Sequence, residues 1–203
     1  MVYDFHTHTF LSDGVLSPSG LAREALVRGY KALAITDHVG VGNLDHVLKV
    51  LVKECEAISR SWDMMAIPGV ELTYVPKDDI SSVARLARDM GARIVVVHGE
   101  TLVEPVEPGT NLAALQSRDV DILAHPGLLS EEEAELAARN GIFLELSSRE
   151  GHSLTNGLVA QRALLAGAKM VLNSGTNHNS STETMIPPAT ARNSGYTRAP
   201  TTR

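Results

Sequence analysis

Short apolar runs alternate with longer segments of helical period along most of this chain. Seven runs are typical of strands buried on both faces of a parallel sheet, because they are brief and almost wholly apolar. These predicted strands lie at residues 2–5, 32–36, 65–72, 93–98, 121–124, 142–146 and 169–172. Helices are predicted in the segments between them, at residues 19–28, 44–61, 80–90, 112–117, 131–139 and 156–165. A series of βα units of this kind indicates an α/β fold with a parallel sheet.

Signals for helix ends support this division. Ser17 and Pro18 place a cap before a proline at a first helical position, and Ser130, followed by three glutamates, begins a capping box. A glycine stands where each of four helices should stop, shortly before the next strand: Gly29, Gly91, Gly141 and Gly167. About seven strands, with helices that repeatedly end in a glycine before the next strand, favour a closed, TIM-like barrel. An open doubly wound sheet is the alternative, although no glycine-rich phosphate loop follows the first strand.

The pattern ends near residue 175. Of the last 29 residues, 16 are Ser, Thr, Asn or Pro and six are apolar, and no helical period remains. We therefore predict a barrel domain over residues 1–174 that lacks its last helix, and an irregular or disordered tail over residues 175–203. One hypothesis is that the coding sequence is altered or shifted in frame near residue 175. Translation of the other two reading frames tests it.

Composition narrows the range of partners. A chain of 203 residues can form one domain with a sizeable core, and its net charge of −6 argues against a general nucleic-acid binder, which needs clustered Lys and Arg. Cys55 is the only cysteine, so neither an intramolecular disulfide nor a thiolate metal cluster can form, and we expect a small apolar residue on a helix. The sequence has neither a run of about 18 apolar residues nor a signal peptide, so we expect a cytoplasmic protein without membrane contact.

Histidines and acids follow the ends of successive predicted strands. The carboxyl ends of parallel strands meet at one face of a barrel, so these side chains should converge there. A single buried histidine is more often a core residue than a ligand, but five at consecutive strand ends favour a metal site. The candidate metal ligands are His6, His8, Asp13, His38, Glu71, His98 and His125.

This set of side chains predicts both the metals and the chemistry. Imidazole and carboxylate without thiolate suit zinc, manganese or iron, and several ligand sets around one cavity suggest two or three divalent ions. Glu71 is the best candidate to bridge them, because it is the acid at the very end of a middle strand. Such clusters bind phosphate oxygens and lower the pKa of water, which indicates hydrolysis of a small phosphorylated substrate. No serine–histidine–acid or cysteine–histidine arrangement competes with this interpretation.

Other polar residues have less certain roles. Arg149, beyond the sixth strand, is a candidate to bind phosphate by a bidentate contact, and the alternative is a solvated loop arginine. His152 in the same loop is a second candidate for substrate binding. Asp37 is interpreted as orienting a ligand histidine. Glu145 stays unassigned, because the pattern does not decide whether it faces the barrel interior or the outer helices. The candidate catalytic residues are Glu71, Asp13 and Arg149.

At these residues the sequence resembles the polymerase and histidinol phosphatase (PHP) family, from residue 1 to about 174. The matching motifs are Asp4-Phe5-His6-Thr7-His8, Ser12-Asp13-Gly14, Ile35-Thr36-Asp37-His38, Gly69-Val70-Glu71, Val97-His98-Gly99 and Ala124-His125-Pro126-Gly127. The resemblance implies a distorted (βα)7 barrel with a three-ion site. The implied ligands are His6, His8 and Glu71 for one ion, Glu71, His98 and His125 for a second, and Asp13 and His38 for a third.

The chain departs from the family at the seventh predicted strand, where the family pattern is Asn-Ser-Asp-x-His. This chain has Gly175 and Asn177 at the two ligand positions, so the first and third ions are each one ligand short. His178, one residue later, is a candidate substitute ligand. The resemblance implies a phosphatase or phosphodiesterase like histidinol phosphatase. The alternatives are a catalytically impaired barrel that acts as a scaffold or protein partner, and a nuclease, which the few basic residues make the weaker reading.

Overall fold

The structure is a computed structural model that describes residues 2–175. Strands and helices alternate in the order β1 (Val2–Asp4), α1 (Pro18–Val27), β2 (Tyr30–Ile35), β3 (His38–Val39), α2 (Leu44–Ser61), β4 (Met65–Leu72), α3 (Ile80–Asp89), β5 (Ile94–His98), α4 (Thr110–Gln116), β6 (Ile122–Ala124), α5 (Glu131–Asn140), β7 (Phe143–Ser147), α6 (Asn156–Ala166) and β8 (Met170–Asn173). Single-turn 3₁₀ helices precede α3 and α6, at Lys77–Asp79 and His152–Thr155. The predicted tail and the missing last helix fall almost wholly on residues 176–203, outside the described residues.

All strand pairs in the sheet are parallel, in the order β1-β2-β4-β5-β6-β7-β8. These seven strands are the seven that the sequence predicts. The two-residue β3 was not expected, and it pairs with β4 on the same side as β2. It continues the path of β2 after a short interruption, because the backbone oxygen of Asp37 still accepts a hydrogen bond from Glu71 N at 3.1 Å. The extra strand therefore does not increase the number of strands around the barrel.

The first and last strands approach each other and nearly close the sheet. Phe5 N donates to Asn173 Oδ1 at 3.0 Å, Ser174 Oγ donates to Asp4 Oδ2 at 2.6 Å, and Gly175 N donates to His6 O at 3.1 Å. The parallel sheet with its six α-helices within residues 2–175 confirms the predicted α/β fold, a distorted TIM-like barrel. None of these helices is both long and apolar enough to cross a membrane.

The core lies mainly between the sheet and the surrounding helices. Helix α2 turns one face to it, with Val47, Leu51, Cys55 and Ile58 buried at helical spacing. The prediction that Cys55 is a buried apolar residue on a helix is confirmed. The predicted caps also form, because Ser17 Oγ accepts Gly20 N and Ser130 completes a capping box.

A smaller core cluster fills the inside of the barrel. In β5, Val95 and Val97 belong to the outer core, whereas Val96 packs with Ile122 and Ala124 in the smaller cluster. Because residues two apart on a strand share a face, His98 follows Val96 on the inner side. Alternation along the strands thus aims polar side chains at the carboxyl-terminal end of the barrel.

Candidate metal centre

Glu71 is the centre of the polar cluster at this end of the barrel. It lies on β4 between Val70 and Leu72, which belong to the outer core, so its fully buried side chain points inward. Five imidazole nitrogens surround its carboxylate: His38 Nδ1 at 2.8 Å, His98 Nδ1 at 3.1 Å, His6 Nε2 at 3.2 Å, and His8 Nε2 and His125 Nε2 at 3.5 Å. The structure therefore brings together all five histidines that the strand-end pattern singled out.

The strand ends position these histidines in different ways. His98 is the last residue of β5, and His38 begins the short β3. His125 follows β6 with φ 28°, a backbone conformation that is uncommon for a residue other than glycine. Strained backbone of this kind tends to occur where function requires a particular side-chain direction.

The candidate ligands form three trios whose donor atoms lie within 4.8 Å of one another: His6, Glu71 and His125; His8, Asp13 and His38; His38, Glu71 and His98. Together the trios contain all seven predicted ligands. They divide them differently from the sets that the family resemblance implies, where His6 shares an ion with His8 and His98 shares one with His125. The assignment of ligands to particular ions therefore stays a prediction.

Many of the buried donor atoms have no hydrogen bond. Among the described residues, these include His6 Nε2, both ring nitrogens of His8, Glu71 Oε2, His98 Nε2 and His125 Nδ1. A buried polar group without a partner costs about 1–3 kcal/mol, so one protein region rarely tolerates several of them. Divalent ions would satisfy these atoms, and nitrogen and carboxylate donors without thiolate suit zinc, manganese or iron. The residues thus fit the metals that the resemblance implies.

The electrostatics of the cluster favour an ionised acid. Burial opposes the charge on His6, His38 and His98, but the nearby carboxylates outweigh it and raise the pKa of all three, that of His38 to about 10. Burial by itself raises the pKa of Glu71, but the imidazoles of His6, His38 and His98 outweigh it and hold that pKa well below its usual value. Burial lowers the pKa of His125 to about 4, and burial together with His38 lowers that of His8. Because a histidine must be neutral to bind an ion, metal binding would displace protons from His6, His38 and His98, whereas His8 and His125 are already poised to bind.

Glu145 supports the cluster from beneath, on β7. Its Oε2 lies 2.6 Å from His6 Nδ1 and accepts a hydrogen bond from Asn173 Nδ2 at 2.9 Å. The sequence pattern left its direction open. A signal was present, because Phe143 packs in the barrel interior and Leu144 in the outer core, so two-residue alternation places Glu145 inside.

Among residues 2–175, the Asp37 side chain forms no hydrogen bond with a ligand histidine, so the interpretation that it orients one was wrong. Its Oδ1 accepts hydrogen bonds from Thr9 N at 2.7 Å and Ser12 Oγ at 2.6 Å, and its Oδ2 accepts one from Thr9 Oγ1 at 2.8 Å. Asp37 therefore holds the loop that carries His8 and Asp13. Its position next to His38 in the sequence was misleading, because neighbouring residues on an extended chain point in opposite directions.

Glu104 joins the site although the strand-end pattern did not indicate it. It lies in the loop after β5, with Oε2 3.1 Å from His98 Nε2 and Oε1 3.2 Å from His152 Nε2. Tyr74 Oη donates to Glu104 Oε2 at 3.1 Å, and Tyr74 has φ 53°. The imidazoles of His152 and His98 hold the pKa of this carboxyl well below its usual value. Nothing in the loop's sequence distinguishes Glu104 from other loop acids.

A cleft of about 410 Å³ opens onto the cluster. Asp13, His38, Tyr74, Glu104 and Arg149 are among the residues that line it. Arg149 Nη2 lies 3.9 Å from Asp13 Oδ2, which places the predicted phosphate-binding arginine at the entrance of the cluster. A larger groove of about 810 Å³ lies between α4 and α5, and no histidine of residues 2–175 lines it.

The end of β8 contributes to the site without a side-chain ligand at position 175. Gly175 has φ 58° and donates its N–H to His6 O. An added Cβ atom there would make only ordinary contacts, at 3.5 Å from Arg149 Cβ and Ser147 Oγ. Asn177 and the candidate substitute ligand His178 lie outside the described residues.

Comparisons with known proteins place the chain in a family. The uncharacterized protein MJ1295 of Methanocaldococcus jannaschii is 48% identical over 178 residues, which cover 87% of this chain and 82% of that protein. The 5'-3' exoribonuclease Rnm of Escherichia coli is 30% identical over 142 residues, which cover 70% of this chain but 44% of the exoribonuclease. This chain therefore spans less than half of that enzyme.

Solved structures and a family model agree with this relationship. The crystal structure of a candidate histidinol phosphatase from Listeria monocytogenes superposes with a TM-score of 0.60 at 11% identity, covering 87% of this chain and 95% of that one. At that identity, the likeness establishes the fold alone. The family model described as the PHP domain matches residues 4–154, most of the chain. The chain therefore belongs to the PHP domain family.

Proposed function

We propose that this chain is a metal-dependent phosphoesterase that acts on a small phosphorylated molecule, as a phosphatase or phosphodiesterase. The observation that carries the proposal is the convergence of five imidazoles on the buried, ionised Glu71. Membership of the PHP domain family supports hydrolysis as the type of reaction. We expect the protein to act in the cytoplasm, which stays a prediction.

We propose that two or three ions bind at the seven clustered side chains: His6, His8, Asp13, His38, Glu71, His98 and His125. Zinc, manganese and iron are the candidates. When bound, such ions polarise a phosphoryl group and lower the pKa of water. The ligand side chains at the strand ends are nearly all buried, so a substrate reaches them in a region of low dielectric, where charges act strongly.

The residues of the cleft would bind and orient the substrate. Arg149 presents its guanidinium beside Asp13 at the entrance, in position to bind a phosphate through two parallel hydrogen bonds. His152 is buried behind Glu104, whose side chain lines the cleft. A cleft of about 410 Å³ is of the size that small-molecule sites have.

Two other functions have specific support. The likeness to an exoribonuclease favours a nuclease. The net charge of −6 opposes tight binding of a nucleic acid strand, and so does a cleft in which Arg149 is the one arginine among residues 2–175. Gly175 in place of the expected aspartate favours an impaired barrel that acts as a scaffold. Retention of seven clustered ligands opposes the scaffold.

The decisive experiment measures bound metal and hydrolysis on the same samples. Wild-type protein and Glu71→Gln are loaded with Zn²⁺ or Mn²⁺, and metal-to-protein ratio and release of phosphate from an aryl phosphate and a panel of phosphoesters are compared. Glu56→Gln, an exposed acid on α2, is the matched control. We expect two or three ions and turnover in the wild type and the control, and loss of both in Glu71→Gln.

The other outcomes identify the competing functions. Bound metal with cleavage of short RNA but of no small phosphoester would favour the nuclease. One ion or none in the wild type, without turnover of any substrate, would favour the scaffold and overturn the proposal. Unchanged metal content in Glu71→Gln would contradict the bridging role of this residue.

A further inference from the structure

Glu104, which lines the cleft, lies between two histidines: His98, a member of one ligand trio, and His152, which belongs to none. The two oxygens of Glu104 are shared between His98 Nε2 at 3.1 Å and His152 Nε2 at 3.2 Å. In a tetrahedral zinc site with bonds of about 2.0–2.2 Å, neighbouring donor atoms are about 3.3 Å apart. The nitrogen–oxygen distances around Glu104 differ from that spacing by a few tenths of an ångström at most.

The hydrogen bond on the other side of His98 indicates which nitrogen is free. His98 Nδ1 and Glu71 Oε1 form a hydrogen bond of 3.1 Å. A carboxylate that accepts one ring N–H of a histidine leaves the lone pair of the other nitrogen for an ion. That other nitrogen, Nε2, is buried and has no hydrogen bond among residues 2–175, despite its short distance to Glu104. Two atoms that are this close without an aligned hydrogen bond have the spacing of two ligands of one ion.

We propose that His98, Glu104 and His152 form a further divalent-ion position beside the Glu71 cluster, with Glu104 as its carboxylate ligand. The inference rests on the proposed function and assigns His98 to this position through Nε2, while its Nδ1–H donates to Glu71 in the cluster. Two imidazoles and one carboxylate, with a side open to solvent, are the donor set of a catalytic zinc site. The position makes His152 a metal ligand, where the sequence analysis expected a substrate-binding residue.

The surrounding structure holds the three side chains in place. His98 and His152 are almost wholly buried, whereas 26% of the Glu104 side chain is exposed towards the cleft. Tyr74 donates its hydroxyl hydrogen to Glu104, and it does so from a left-handed backbone conformation that residues other than glycine rarely adopt. The loops after β4 and β5 and the turn after β7 thus meet at Glu104, on the side from which a substrate enters.

The test measures Zn²⁺ binding alone, so that it does not depend on catalysis. Wild-type protein, Glu104→Gln and His152→Asn are titrated with Zn²⁺ against a chromophoric chelator, with Glu107→Gln as the matched control from the same loop. Glu107 pairs with Lys77 and forms no ion pair with a histidine among residues 2–175. We expect both site variants to lose one ion per chain, or to bind it about 10–100-fold more weakly, while the control matches the wild type.

Thermal melting distinguishes loss of the ion from loss of the fold. The metal-free forms of Glu104→Gln and wild type should melt at similar temperatures, and Zn²⁺ should raise the wild-type value more than that of the variant. Equal stoichiometry and affinity in all four proteins would leave Glu104 and His152 as an ion pair only and overturn the inference. If Glu71→Gln loses ions and Glu104→Gln does not, the further ion position is overturned while the proposed function stands. If Zn²⁺ binds through Glu104 but the protein hydrolyses no phosphoester, the proposed function is overturned while the further ion position stands.

Discussion

Glu145 Oε2 lies 2.6 Å from Nδ1 of His6, and both side chains are almost completely buried. The carboxylate accepts the Nδ1 hydrogen, and the other ring nitrogen of His6 faces Glu71 at 3.2 Å, where it can bind an ion that displaces its proton. Asn173 on β8 holds the same oxygen at 2.9 Å. The last strand therefore acts on the cluster through Glu145.

Replacing Glu145 by Gln should weaken metal binding. The amide keeps the size of the side chain but lacks the charge that fixes the orientation and tautomer of His6, so we expect affinity for Zn²⁺ to fall by about 10–100-fold. Competition with a chelator measures it. Glu150→Gln, an exposed acid in the loop after β7, is the control. Equal affinities in the two variants would show that His6 needs no help from Glu145.

Gly175→Asp should increase metal binding if the family's ligand at this position is what the site lacks. The space for a side chain exists, and at φ 58° aspartate is among the residues that tolerate the conformation best. We expect a higher metal-to-protein ratio and faster phosphoester hydrolysis, more so when Asn177→His is added. Gly175→Ala carries the same backbone cost without a carboxylate. If the Asp and Ala variants behave alike, the missing carboxylate does not limit the site.

Substitution by alanine should lower the stability of the protein much more at Gly127 than at Gly141. Both have positive φ, of 65° and 72°, and both substitutions therefore carry a backbone cost of about 1–2 kcal/mol. A Cβ atom at Gly141 meets open space, whereas at Gly127 it would overlap the carbonyl oxygen of Glu100. We expect urea unfolding to show that Gly127→Ala lowers the free energy of unfolding by more than about 4 kcal/mol. A loss no greater than that of Gly141→Ala would contradict the steric argument.

The thiol of Cys55 should be unreactive in the native protein. Burial raises its pKa from 9.0 to about 12, so at pH 8 an aromatic disulfide reagent should react only after unfolding in guanidinium. The unfolded chain releases this proton near pH 9 and the folded chain does not. The buried thiol therefore makes its full contribution to the free energy of unfolding below pH 9, and this contribution declines as pH rises from 9 towards 12. Cys55→Ala should lack that decline, and rapid labelling of the native protein would refute the prediction.

The sequence was most informative where a periodic pattern and a local signal agree. Helix α2 begins and ends where its period predicts, at Leu44 and Ser61, because its apolar face must cover the sheet. The capping box at Ser130 is a contact between residues three apart, so the sequence alone defines it. The histidines at strand ends were predictable for a related reason, since barrel geometry brings all strand ends together.

Contacts between distant loops could not be predicted in the same way. Glu104 meets His152 across 48 positions of sequence, and no periodicity relates the loop after β5 to the turn after β7. The partners of Asp37 depend on how the loop of Thr9 and Ser12 folds back, which a strand pattern does not contain. Such side chains acquire their roles from tertiary packing.

The contact between the two ends of the barrel has a consequence for synthesis of the protein. Asp4 and Ser174, which hydrogen-bond across this junction, are separated by 170 positions, and contacts of such long range form late because loop closure costs entropy. His6 receives its partner Glu145 only after most of the chain has left the ribosome. We therefore expect nascent chains that stop before β7 to bind metal poorly, so that ions are acquired at the end of translation.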